Sequence, residues 1–311
     1  MSFDERHLVF AGARGPATAA DIWSPRTTLG KITGRALAPL NIEVTIDSGG
    51  FGPNNPALVS DGRADLGSYN LDFLRFAFDG TYDHQSDGPR RNLRVLAAIN
   101  FPAWLGVAVR AESGITDLGQ VVKRQYPLRV VTTGAEAVHR ILAYYGLSRE
   151  LIESWGGKFM RATSQSFSPF IPTGDFDLIM DAVYAAYTPE ARHWWEASVL
   201  HNLRFLPLPD DLIKQICTEL GGEPGFIPHQ LMRGVVGDVP AVERLPHAIY
   251  TRDEMPAAQA HTIAQALDAG RHLFRQVFIP FSYDPRNVAR TYGLPLHEGA
   301  ERYYREMGYL A

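Results

Sequence analysis

Between Thr45 and Tyr69 the sequence reads as strand, glycine turn, helix, tight turn, strand. That order restricts the chain to folds in which parallel strands are joined by helical crossovers. Ile42 to Ile46 alternates as a half-buried strand does. Ser48-Gly49-Gly50 lets the backbone approach closely whatever lies above it. Asn54 or Asn55 caps the following helix, with Pro56 at its first position. The free N–H groups of such a helix start suit an anion, often a carboxylate. Taken alone, the same stretch equally serves only to turn the chain. Asp61-Gly62 closes the helix, and Ala64-Asp65-Leu66-Gly67 opens the next strand.

The same logic recurs along the chain. His7 to Ala11 is a first strand, Gly12-Ala13-Arg14-Gly15-Pro16 a turn, and Thr27 to Leu40 a helix. Leu71 to Phe78 reads as a helix. Leu93 to Ile99 is a buried strand that runs through Asn100-Phe101-Pro102-Ala103-Trp104 into Leu105 to Val109. Leu128 to Thr132 is a strand that turns through Thr133-Gly134-Ala135-Glu136 into a helix ending at Tyr145. Gly174-Asp175-Phe176-Asp177, before the strand Leu178-Ile179-Met180, echoes Asp61-Gly62-Arg63-Ala64-Asp65. Both read as a turn feeding a strand at the same stage of a lobe. Val235 to Tyr250 is a second extended stretch, followed by helices at Ala257–Phe274 and Asp284–Thr291 and a last one to Met307. This predicts two α/β lobes with mostly parallel sheets flanked by helices, joined by two strands. Lobe 1 is discontinuous, 1–103 plus 238–311, and lobe 2 is 104–237. A chain of 311 residues is long enough for two such cores. Ligands in these folds bind beyond the C-terminal ends of the strands.

Several function classes drop out. A formal net charge of −4 gives no electrostatic case for nucleic acid or an anionic membrane. Cys217 is the one cysteine, which rules out an internal disulfide and a cysteine-based zinc cluster. No nucleophile-elbow, zinc-protease, phosphate-loop or kinase signature occurs, and no cofactor or metal is expected. Met1 to His7 is charged and leads straight into a strand, with no signal-peptide pattern. The sequence as it stands is therefore expected to be cytoplasmic, or periplasmic if a leader was removed.

With these motifs in place, nearly the whole chain resembles the periplasmic solute receptors of TRAP transporters, in the branch called TAXI. Gly12-Ala13-Arg14-Gly15 stands at the family's first glycine turn. Thr45 to Gly50 with Asn54 is similar to its Thr-x-Gly-Gly-Ser-x-x-Asn. Asp61 to Gly67 resembles Gly-x-x-Asp-x-Gly, and Ser113 to Leu118 a shortened Ser-Gly-Ile motif. Thr132 to Glu136 takes the place of Gly-Pro-x-Gly-Ser-Gly, without the serine and with Glu136 added. The most specific match is Leu296 to Gly308, close to His-Pro-Gly-Ala-x-x-Tyr-x-x-Glu-x-Gly, a packing motif distant from the ligand. The resemblance implies a two-lobed, type II periplasmic-binding-protein-like fold. It also implies an inter-lobe cleft closing on a small organic anion, and delivery to TRAP membrane subunits.

The expected ligand-binding residues are Arg14, Ser48, Gly49, Asn54, Tyr69, Asn70, Trp104, Thr132, Thr133, Gly134, Asp181 and Tyr184. Tyr69 and Asn70 end a strand of one lobe, and Asp181 and Tyr184 end the strand Leu178–Met180 of the other. Arg14 and Arg26 lie nearest the first turn, where a carboxylate clamp needs one of them; either equally suits a surface salt bridge. Trp104 covers a ligand or plugs the hinge. Glu136 and His139 share a helix face. They read either as an acid–base or metal-binding pair, or as a dipole-favoured glutamate beside a half-buried histidine. Two functions follow. One is a receptor for a carboxylate-type solute. The other is a cytosolic aromatic-acid decarboxylase or lyase on the same scaffold, with Glu136 and His139 as acid and base; some soluble enzymes share this bilobed fold.

Overall fold

A computed structural model describes residue 4 and residues 6–12, 25–47, 54–132, 135–161, 170–185, 192–275 and 282–310. The chain divides into two compact units, Met1–Phe101 with Leu245–Ala311 and Pro102–Arg244. The first opens β1 (His7–Ala11), α1 (Pro25–Leu37), β2 (Glu43–Asp47), α2 (Asn55–Ser60), β3 (Leu66–Asn70), α3 (Leu71–Asp79), β4 (Leu93–Ile99). The second is β5 (Ala103–Arg110), α4 (Gly119–Arg124), β6 (Arg129–Thr132), α5 (Glu136–Tyr144), α6 (Arg149–Ser154), β7 (Lys158–Arg161), α7 (Phe170–Thr173), β8 (Leu178–Tyr184), α8 (Arg192–Leu200), β9 (Leu203–Phe205), α9 (Asp210–Leu220), β10 (Glu223–Ile227) and β11 (Val239–Glu243). The chain then completes the first unit with β12 (His247–Arg252), α10 (Ala257–Ala269), α11 (Arg271–Phe274) and α12 (Glu298–Glu306).

Each unit is a mixed sheet flanked by helices. The first has five strands in the order β2-β1-β3-β12-β4, and only β12 runs against its neighbours. The second has seven, in the order β10-β11-β5-β8-β6-β7 with β9 beside β5. There β6, β7 and β8 are parallel, while β5 runs against β8, β9 and β11. β5 and β12 follow the short joins Asn100-Phe101-Pro102 and Arg244-Leu245-Pro246, where the chain passes from one sheet to the other.

The echo between the two acidic turns has a structural basis. Asp65 exchanges two bonds with β1: Val9 N donates to Asp65 Oδ2 at 2.8 Å, and Asp65 N donates to Val9 O at 2.8 Å. Asp177 does the same to β6, with Arg129 N donating to its Oδ2 at 3.0 Å and its own N donating to Arg129 O at 2.9 Å. In both units the carboxylate fixes the register of a parallel pair, β1–β3 or β6–β8. Gly62 (φ +72°) and Gly174 (φ +68°) make the preceding left-handed turns. Arg252, fully buried, braces the first turn by donating to Ala64 O at 2.9 Å.

Three local readings differ from the structure. The strand expected to end at Met180 runs on to Tyr184, so Asp181 lies mid-strand. The segment 284–291 is a series of turns rather than a helix. Pro285 follows Asp284, whose carboxylate accepts instead from Arg286 N at 3.0 Å and from the Arg286 guanidinium; such local bonds compete with helix. β10 was not expected, because Pro224 and Gly225 weaken its strand pattern.

The C-terminal motif is indeed packing. His297 is buried at the start of α12; its Nδ1 accepts from Gly299 N at 3.2 Å, which leaves Nε2–H to donate to Met255 O at 3.1 Å. Burial pushes its pKa below the ordinary histidine value, against an opposing bond to Met255. The folded state therefore holds His297 neutral where the unfolded chain would protonate it. This contribution is fully present above the ordinary value near 6.5 and is lost as pH falls towards the lower folded value. We expect His297→Asn, which keeps a capping side chain, to flatten the loss of stability between pH 7 and 5 in urea titrations. A wild-type-like pH slope in that variant would exclude His297 as the source.

Candidate functional site

In the first unit, α1 and α2 both start at the C-terminal end of β1. Gly12 N donates to Asp47 O at 2.9 Å, closing β1 onto β2. Asn55, fully buried, donates through Nδ2 to Ala11 O at 3.1 Å and Gly12 O at 2.9 Å. Asn54 takes the cap position of α2 without a side-chain bond and is exposed. The expected cap thus became a brace supplied by its neighbour.

Arg26 lies in the first turn of α1, which holds no acidic residue. Its guanidinium sits 5.8 Å from the ring centre of Tyr69, the buried strand-end residue of β3. Its Nε is buried without an acceptor, and no carboxylate pairs with Arg26 among the described residues. A cation at a helix start opposes the helix dipole. An anion placed there would satisfy guanidinium and helix together. Tyr69 stacks on Phe73 at 5.2 Å. Behind it, the phenol of Tyr250 is pushed far up, by burial first and then by Tyr69, with Arg26 acting in the opposite sense. Gly67 admits the Tyr250 ring: a methyl group there would meet its hydroxyl at 2.6 Å. Asn70 turns aside to donate to Leu245 O at 3.3 Å.

In the second unit, Thr132 ends β6 and is buried. Glu136 opens α5, and its Oε1 lies 3.4 Å from Arg140 Nε, which also reaches Glu219 on α9 at 3.1 Å. His139 is exposed on the same helix. Glu136 is thus matched by an arginine one turn on. Asp181 accepts from Ala182 N, and its Oδ2 lies 3.3 Å from His193 Nε2 on α8; both side chains are buried. Tyr184, half-buried, closes β8 opposite Ala103. Trp104 packs in the core with Val183 and Trp194. Its indole faces Glu243 of the adjacent strand but makes no hydrogen bond in good geometry. Burial raises the Glu243 pKa, and Trp104 pulls it the other way.

Arg14, Ser48, Gly49, Thr133 and Gly134 lie outside the described residues. The structure brings Arg26 and Tyr69 together and leaves Asn54 apart in solvent. Sequence reasoning missed Tyr250 and His193, and named Asn55 only as a cap. Only Asn55 carried a signal, as one of two candidate caps. Among the described residues no group of three His, Cys, Asp or Glu side chains is placed to hold a metal. No helix of the described residues is long and apolar enough to cross a membrane.

Two mixed sheets of this topology, each flanked by helices, match the fold class of periplasmic binding proteins. Residues 17–308 match the sequence model of the NMT1-like family, and the chain belongs to that family. The match does not single out the TAXI branch. Among solved structures, a TctC solute binding protein from Polaromonas is 13% identical with a TM-score of 0.52, covering 99% of this chain and 100% of its own. A periplasmic transporter is 12% identical with a TM-score of 0.49, covering 99% and 94%. The periplasmic aliphatic sulphonate binding protein SsuA from Escherichia coli is 14% identical with a TM-score of 0.43, covering 98% and 79%. At 13% identity the likeness to the TctC solute binding protein is one of fold alone. No curated protein matches the chain.

Proposed function

We propose that the chain is a solute-binding protein for a small carboxylate-type anion, held at the start of α1 by Arg26. One observation carries this reading: a half-buried guanidinium at a helix N-terminus without a carboxylate partner among the described residues. Arginine recognises a carboxylate with two parallel hydrogen bonds, so the solute needs at least one such group. The fold shared with the TctC solute binding protein supports a binding role. The TAXI-like motifs, from the first glycine turn to the C-terminal motif, support delivery to TRAP-type membrane subunits and work outside the cytoplasm.

A panel of mono- and dicarboxylates, sugars and amines, screened by thermal shift and confirmed by calorimetry, tests the reading. A bound carboxylate at a hundred times its Kd adds about 2.7 kcal/mol of stability, visible as a shift of a few degrees. Stabilisation by neutral or cationic solutes alone, with none by any carboxylate, would overturn it.

A further inference from the structure

Two further polar atoms of the first unit, Tyr250 Oη and Asn55 Oδ1, are buried without a hydrogen-bond partner among the described residues. The Tyr250 hydroxyl stands over Gly67 of β3, which lies between Tyr250 on β12 and Ala11 on β1. Asn55 opens α2, and its Nδ2 donates to the carbonyls of Ala11 and Gly12. Those two bonds use both amide hydrogens, so Oδ1 remains as an acceptor. Leu58 and Val59, three and four residues on, pack in one apolar cluster with Ala11, Tyr69 and Tyr250. The face of α2 that carries Asn55 is therefore turned to the Tyr250 side of the sheet. Tyr69, two residues along β3 from Gly67, points to that same side and meets the Arg26 guanidinium at 5.8 Å. A polar atom buried in this way has given up its water and gained nothing in return.

We propose that Tyr250 and Asn55 read a hydroxyl group on the solute held by Arg26, so that the solute is a hydroxycarboxylate. This rests on the carboxylate reading of the Arg26 site. The Tyr250 phenol, pushed far up by burial, stays protonated and donates, whereas the Asn55 oxygen accepts. The two are not bonded to each other. A hydroxyl accepts from the first and donates to the second. An oxo group only accepts, an ammonium only donates, and a methylene does neither. A site built to hydrogen-bond a hydroxyl rejects the analogue that lacks it, because its own buried groups are then left unpaired.

Calorimetric titration of the whole protein with butanoate, 2-hydroxybutanoate, 3-hydroxybutanoate, 2-oxobutanoate and 2-aminobutanoate tests the proposal. One of the two hydroxy acids should bind about tenfold or more tightly than the three acids without a hydroxyl. Tyr250→Phe removes only the phenol oxygen. It should bring that hydroxy acid to within about threefold of butanoate, while the unliganded melting point holds or rises because an unpaired hydroxyl is gone. A purely structural hydroxyl would instead lower the melting point and leave the preference intact. Arg26→Met should weaken butanoate and the hydroxy acids together. The proposal falls if neither hydroxy acid outbinds butanoate, if the oxo or amino acid binds as tightly, or if Tyr250→Phe keeps the full preference. Should Tyr250→Phe misfold, the wild-type ranking of the five acids decides alone. Binding of butanoate that depends on Arg26 but gains nothing from a hydroxyl would sink this proposal and spare the carboxylate reading. Binding of none of the acids would sink both.

Discussion

Arg26→Met should lower affinity for the best carboxylate on the order of a hundredfold, since losing one partner of a desolvated charge pair costs about 3 kcal/mol. Methionine replaces the aliphatic stem of Arg26 as far as the position of Nε, so most of the packing at the start of α1 is kept. The unliganded protein should be as stable as wild type, or slightly more so, because a cation leaves a helix start that disfavours it. Arg26→Lys should fall between the two: it keeps the charge but loses the planar fork. Calorimetry for affinity and a melting curve without ligand separate the two effects. Wild-type affinity in Arg26→Met would remove the arginine from the site and with it the reason for expecting an anion.

Gly299→Ala should destabilise the protein by about 2 kcal/mol or more, although the substitution favours helix by roughly 1 kcal/mol in isolation. Gly299 lies in the first turn of α12, and an added methyl carbon would overlap Ala257 O and come within 2.9 Å of Ala260 Cβ. Neither obstacle is the tip of a flexible side chain. Relief requires α12 to move off α10, which strains the His297 cap and the bond from Tyr304 to Leu96 O at 2.8 Å. Urea denaturation measures the change. A more stable Gly299→Ala would mean that the two helices are further apart than described.

The elements most legible in the sequence were those whose determinants are local. The strand, helix and strand that begin at Glu43, Asn55 and Leu66, the turns at Gly62 and Gly174 and the paired Asp65 and Asp177 rest on contacts within a short window or on a repeated pattern. Arg26 was readable only as a charge near a turn; that no carboxylate among the described residues pairs with it emerges from the fold. Tyr250 fills space at Gly67, and Asp181 meets His193 between a strand and a helix. Such pairings join side chains distant along the chain, where periodicity carries no information. The false helix at 284–291 failed for the reverse reason: a local carboxylate–arginine interaction overrode a plausible pattern.

The position of β12 also orders events in time. It lies between β3 and β4, so residues 1–101 alone leave a gap in the middle of the first sheet. The second sheet draws all its strands from 102–244. A ribosome working from the N-terminus therefore releases every strand of the second sheet before the first can close. Until Arg252 emerges, β3 and β4 each present an unpaired edge, the kind of surface that invites mispairing with another nascent chain.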